Sequence, residues 1–402
     1  ANPDADGYRN DNHSVHLSYD LGPDHKVGLR SSHFNGRFDY DVAGSYATPT
    51  DVHKGTTRID NNTVYWSGKL NPVWSSRLNY SEATERNTTA TVGGYSFTTQ
   101  AETRTRLLSW THQVNLPTMV LSAGVDHQTQ GIDAGTDGFT ELTRQRNANA
   151  VYAGLLYTRA GHSAQLNLRH DSVQGVASKD SVYLGYGYEL NPQWKLIASH
   201  ATAFNVPPLG YLYDPYSGNP ALRPETATTH EVGVQWASGP HRLRSTLFDT
   251  RTKDLLLYDM STWQFSNVSS VKNQGLETSY SGRIQSTDLR ASLTVQDPVN
   301  EATGLQLVRR AKTLASASAS QAIGLLTLGA SVRYTGARPD LSGKPELASY
   351  VLLDLTARYA LTRDWTLFGR IDNATDSHYQ TAYGYNQLPR TTYVGLSWKL
   401  KP

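Results

Sequence analysis

Hydrophobic and polar residues alternate with a period of two along most of this chain. In 325–334, Leu326, Leu328, Ala330, Val332 and Tyr334 fall on one side, and Thr327, Gly329, Ser331 and Arg333 on the other. The pattern returns at Val351, Leu353, Leu355, Ala357 and Tyr359, which oppose Asp354, Thr356 and Arg358. Val182, Leu184, Tyr186 and Tyr188 repeat it, as do Val232, Val234 and Trp236 against Glu231 and Gln235. Such alternation places each set on one face of a pleated strand. No 3.6-residue period runs long enough to support helices, so the expected fold class is all-β.

About nineteen alternating segments are read. The first ten lie near 12–20, 26–35, 62–70, 75–83, 98–114, 119–130, 146–158, 162–172, 180–189 and 193–204. The rest lie near 226–238, 241–252, 269–283, 287–297, 308–319, 323–336, 349–361, 365–373 and 389–400. The links between them alternate in length. Short ones include Gly22-Pro23-Asp24, Asn71-Pro72-Val73, Asn191-Pro192-Gln193 and Gly239-Pro240. Long ones are expected at 36–61, 84–97, 131–145, 205–225, 253–268, 337–348 and 374–388. Short turns at one end and long loops at the other predict a transmembrane antiparallel β-barrel. Trp74, Trp194 and Trp365 each follow a short turn, where a strand crosses the membrane–water boundary that Tyr and Trp favour. A soluble sheet with aromatic cross-strand pairs would leave the loop alternation unexplained.

Composition narrows the function classes. The 402 residues include 24 Tyr, 8 Trp and 32 Gly but no Cys, which excludes disulfide scaffolds, thiol catalysis and cysteine zinc sites. A net charge of +2 gives no basic field for nucleic acid. No apolar run approaches the 18 residues or so of a transmembrane helix. The opening ANPDADGYRND has neither the basic nor the apolar region of a signal peptide. His13, His16, His25, His33 and His53 show no HxxxH or HExxH spacing. No constellation of acid, His and Ser gathers recognisably, so an enzyme is not expected. The first and last segments both run toward the short turns, whereas bacterial barrels close with an even number of strands. The expectation is therefore that residues 1–402 form an N-terminally incomplete barrel, with about three strands missing from a 22-stranded type.

Motifs then place the chain in a family. Asn219-Pro220-Ala221-Leu222-Arg223-Pro224-Glu225, ahead of Glu231-Val232-Gly233, resembles the Asn-Pro…Leu…Pro-Glu motif of the TonB-dependent outer-membrane transporters. Asp372 to Tyr379 is similar to that family's last-loop motif, with Ala374 where an aromatic is usual. Trp398-Lys399-Leu400-Lys401-Pro402 departs from the usual terminal Phe. Three stretches are most similar to the family's vitamin B12 (cobalamin) receptors: 208–213, Leu307 to Lys312, and Tyr383-Gly384-Tyr385-Asn386. The resemblance implies a Gram-negative outer-membrane receptor, embedded among lipid and lipopolysaccharide, that binds cobalamin at its outer mouth. Import would be driven by TonB acting on a plug domain outside this sequence. A haem or siderophore receptor of the same family is the nearest alternative, and a passive porin-like channel is the alternative from another class.

Two candidate sites follow. Asp4 and Asp6 form a carboxylate pair in a loop, and Tyr40, Asp41 and Asp60 are read in the next long loop. Ca2+ takes six to eight hard oxygens, which clustered loop acids and carbonyls supply. The resemblance implies that Asp4, Asp6, Tyr40, Asp41 and Asp60 help order these loops around Ca2+. At the substrate mouth, it implies that Arg309 and Tyr385 face the ligand. Tyr211 and Tyr213 join them on chemistry alone, since a large amide-rich ligand suits aromatic walls and many polar donors.

Overall fold

The computed structural model describes residues 6–40, 51–259 and 261–399. The sheet opens with β1 (Tyr8–Asp20), β2 (His25–Asp39), β3 (Val52–Lys69), β4 (Trp74–Val92) and β5 (Phe97–Asn115). It continues through β6 (Met119–Thr136), β7 (Phe139–Arg159), β8 (His162–Val173), β9 (Lys179–Glu189) and β10 (Trp194–Asn205). After a short helix, α1 (Leu209–Tyr213), come β11 (Glu225–Ser238), β12 (His241–Asp259), β13 (Gln264–Ile284) and β14 (Thr287–Asn300). Then follow β15 (Thr313–Ile323), β16 (Leu326–Thr335), β17 (Tyr350–Ala360) and β18 (Trp365–Asp372). A small hairpin of β19 (Gln380–Ala382) and β20 (Tyr385–Asn386) precedes β21 (Thr391–Trp398).

Each large strand pairs antiparallel with the next, and β18 pairs with β21 across the small hairpin. The result is one 19-stranded sheet, as the alternation predicts. β1 is laddered to β2 and exposed at every residue, and β21 is laddered to β18. Both end strands run toward the short turns.

The register gives the sheet two unlike faces. One carries Leu17, Leu29, Val64, Tyr80 and Leu108 in line across β1 to β5. On the same face lie Val232, Leu247, Leu276 and Val295 across β11 to β14, and Ala317, Val332 and Leu353 across β15 to β17. Leu17, Val64, Val232 and Leu247 are more than half exposed. A continuous apolar surface of this extent needs lipid against it. The opposite face is polar, as in the row Arg290, Ser318, Ser331 and Asp354 across β14 to β17. That face lines the lumen.

The short turns set the aromatic boundary. Asn71 Oδ1 accepts hydrogen bonds from the N–H groups of Val73 (3.0 Å) and Trp74 (2.9 Å), and Asn191 Oδ1 does the same for Gln193 (2.9 Å) and Trp194 (3.0 Å). Thr362 Oγ1 takes the equivalent place for Asp364 and Trp365. These side-chain turns start three strands on a tryptophan. Trp194 packs on Trp236 and Trp365 on Trp398 across the ladders, giving an aromatic girdle at one membrane boundary.

At the other end the strands run further than the alternation suggests. β3 begins at Val52 rather than 62, β4 reaches Val92 and β13 starts at Gln264. The expected loop at 131–145 is a two-residue turn, with Asp137 and Gly138 both at positive φ (51° and 83°) between β6 and β7. Above the apolar band both faces of the wall meet water, so the ladder continues after the hydrophobic alternation has stopped. β15 shifts the other way. It begins at Thr313 rather than 308, leaving Arg309 in the preceding loop.

Candidate functional site

Three loops at the long-loop end converge on one carboxylate. Asp340 has a fully buried side chain. Its Oδ1 accepts from Arg309 Nε (2.5 Å) and the Leu341 N–H (2.8 Å), and its Oδ2 accepts from the Tyr383 N–H (2.6 Å). Arg309 stands at φ 57° and its N–H donates to the Pro339 carbonyl at 2.7 Å. Withdrawal from water opposes the Asp340 charge. The Tyr383 N–H, the Arg309 guanidinium and the Leu341 N–H outweigh it, so the carboxyl ionises below its ordinary range.

Beside it the buried Arg338 ties the same loops together. Its Nη2 donates to the Gln380 carbonyl at 2.9 Å, and its guanidinium lies 5.4 Å from the Tyr350 ring centre. Gly384, at φ 85°, turns the β19–β20 hairpin so that Tyr385 stands half exposed. Arg309 and the Tyr385 hairpin are thus joined through Asp340. Neither Asp340 nor Arg338 emerges from the sequence motifs, which signal only Arg309 and Tyr383, the partners of Asp340.

Tyr211 and Tyr213 belong to a second cluster. Tyr211 stacks on Phe265 with ring centres 3.7 Å apart, and Tyr258 meets Phe265 edge-on at 5.2 Å. Leu209 and Leu212 bury the other side of α1. Tyr213 is part exposed and receives Arg144 at 5.3 Å from its ring centre.

The Asn-Pro…Leu…Pro-Glu motif holds this loop in place. Asn219 Nδ2 donates to the Phe265 carbonyl, and Asn219 Oδ1 accepts from the Ala221 N–H. Arg223 pairs with Asp254, and Asn267 bridges the Arg223 and Asp254 carbonyls through Nδ2. Glu225 accepts from the Leu256 N–H and from Asn205. The motif is therefore a backbone clamp on the β12–β13 hairpin rather than a ligand contact.

Of the five expected Ca2+ residues the structure describes Asp6, Tyr40 and Asp60, and Asp60 stands apart from the other two. Asp4 and Asp41 lie outside the described residues. Asp6 and Tyr40 sit at the adjoining ends of β1 and β2, where Gly7 and Asp39 exchange hydrogen bonds. Asp60, read as a loop residue, is in mid-strand on β3, with Oδ1 2.6 Å from His33 Nδ1. It shares the outward face with Val64 and lies six residues, about 20 Å along the strand, from Lys54, which pairs with Asp39. The reason is the extension of β3 above the apolar band. Among the described residues, no group of three or more His, Asp or Glu side chains is placed to hold a metal ion. The described donors thus fall short of a Ca2+ shell by themselves.

Residues 1–374 match the family described as TonB dependent receptor-like, beta-barrel. Vitamin B12 transporter BtuB of Vibrio vulnificus is 28% identical over 399 residues, covering 94% of this chain and 64% of that protein. Vitamin B12 transporter BtuB of Photobacterium profundum is 25% identical over 409 residues, covering 98% of this chain and 65% of that protein. The chain spans somewhat less than two thirds of the length of these relatives. Among solved structures, Copper transporter OprC matches with a TM-score of 0.84 at 15% identity, over 98% of this chain and 72% of that one. The siderophore receptor PirA from Acinetobacter baumannii gives 0.83 at 15% identity, over 98% and 71%. At such identities the structural likeness speaks for the fold alone.

Proposed function

This chain belongs to the TonB-dependent receptor β-barrel family of the outer membrane, and from that premise we propose that it is the barrel of a cobalamin receptor. In the whole protein, cobalamin would be captured at the outer mouth and released inward when TonB pulls on a plug domain. The sequence relatives named as vitamin B12 transporters support this choice of ligand. The observation that carries it is the junction at Asp340, which sets Arg309 and the Tyr385 hairpin against each other. A corrinoid offers a broad apolar ring edged with amides, which suits an exposed tyrosine flanked by donors.

Calorimetry on the full-length receptor in detergent tests the reading. Cyanocobalamin is expected to bind the wild type, and Tyr385→Ala to weaken binding about tenfold or more, as for an aromatic anchor. No binding by the wild type, with a siderophore or haem bound instead, would replace cobalamin by that ligand.

Ca2+ is proposed as a loop-ordering ion held by Asp4, Asp6, Tyr40 and Asp41, without Asp60. Excess chelator is expected to weaken cobalamin binding. Asp6→Asn should reproduce that loss, and Asp60→Asn should leave the Ca2+ response intact. Equal affinity with and without chelator would remove the ion from the account.

A further inference from the structure

Several arginines near the mouth or lumen are neutralised. Arg169, Arg223, Arg309, Arg333 and Arg370 each lie within 3.0 Å of a carboxylate oxygen. Arg144 and Arg146, like the buried Arg338, have no carboxylate within 4.0 Å among the described residues, and the groups they meet are uncharged. Arg146 donates through Nε to Gln130 Oε1 and through Nη1 to the Pro207 carbonyl, both at 2.7 Å. Arg144 donates through Nη1 to the Thr143 carbonyl at 2.9 Å and otherwise lies over the Tyr213 ring. The two alternate with Gln145 on β7, on the face of Tyr152, whose hydroxyl meets Thr111 in the lumen. Arg144 Nε and both Nη2 groups remain without a partner in these contacts.

Two guanidinium groups two residues apart on one face repel each other unless an anion lies between them. Stapling the loop to Arg146 through the Pro207 carbonyl needs a donor, not a charge. Arg144 is exposed and meets the loop at the Tyr213 ring. Their position beside Tyr213 puts this uncompensated charge at the second cluster, on the loop that carries Tyr211 and Tyr213.

We propose that Arg144 and Arg146 form an anion subsite that receives the phosphodiester of the corrinoid, an assignment that rests on the cobalamin reading above. A phosphodiester stays ionised across the physiological range, and its two free oxygens match the N–H forks of paired guanidinium groups. The subsite makes the pair specificity-determining: a corrinoid without the phosphodiester gains nothing from it.

The test compares cyanocobalamin with dicyanocobinamide, which lacks the phosphodiester-linked nucleotide, on full-length receptor in detergent. In the wild type cyanocobalamin is expected to bind more tightly. Arg144→Gln with Arg146→Gln should weaken cyanocobalamin about tenfold or more while dicyanocobinamide stays within about twofold, given that one bidentate charged contact exceeds a tenfold step. Arg144→Gln alone, which leaves the Pro207 contact in place, should show part of the same selective loss. Equal losses for both ligands would make the pair a loop support and overturn the subsite, as would unchanged cyanocobalamin binding. A wild type that binds neither corrinoid would remove the cobalamin reading and this assignment together.

Discussion

Replacing Val332 with arginine is expected to destabilise the membrane-inserted barrel by about 2–4 kcal/mol, roughly 30- to 1,000-fold in the folding equilibrium. Val332 lies between Ala317 and Leu353 in the ladder, in the middle of the apolar outer band. An arginine there must carry its charge into hydrocarbon or distort the bilayer around it. Ser331, one residue earlier, points the other way, between Ser318 and Asp354. Ser331→Arg gains a nearby carboxylate and water, so its effect is expected to stay within about 1 kcal/mol. Denaturant titration of the two variants in phospholipid vesicles reads the difference. Similar losses at both positions would mean that the two faces do not meet different solvents.

The second large effect is at the mouth. Asp340→Ala leaves the Tyr383 and Leu341 N–H groups and the Arg309 guanidinium without their shared acceptor. Hydrogen bonds to a charged group contribute about 1.5–3 kcal/mol each. Arg309 is 39% exposed and recovers part of its loss from water. A net local loss of about 2 kcal/mol is expected, read as faster hydrogen exchange at the Tyr383 and Leu341 amides. Cobalamin affinity should fall with it, because the Tyr385 hairpin loses its anchor.

Acid should act on the same carboxylate. Its folded-state value is depressed, so its contribution is complete above the ordinary value of 3.8 and is lost as pH falls through the depressed one. Exchange at these amides that stays protected in Asp340→Ala would assign the loop order to other contacts.

What the sequence made legible was whatever the membrane imposes. Lipid on one side and a wet lumen on the other force strict alternation, so the strands between Leu326 and Thr335 or Tyr350 and Ala360 are readable from polarity alone. The strand extensions above the band were not, because water on both faces erases the difference between inward and outward residues. That is why Asp60 reads as a loop acid yet stands in mid-strand beside His33. The mouth is harder still. Arg309 and Tyr385 carry recognisable motifs, but the aspartate that joins their loops is 31 residues from one and 45 from the other, and no local pattern connects them. Arg144 and Arg146 look like two more polar strand residues until the neighbouring loop is seen to bring them a carbonyl and a tyrosine ring rather than an acid.

Two unlike faces of one wall underlie both the lumen position of Arg144 and the outward position of Asp60. The chain has no native cysteine, so single cysteines can be placed along β16 and spin-labelled without background. In vesicles, a lipid-soluble relaxation agent should reach labels at Leu328, Ala330 and Val332, and a water-soluble agent those at Gly329, Ser331 and Arg333. Labels that respond alike at neighbouring positions, or with the two sets exchanged, would contradict a wall with a hydrocarbon outside and a polar lumen within.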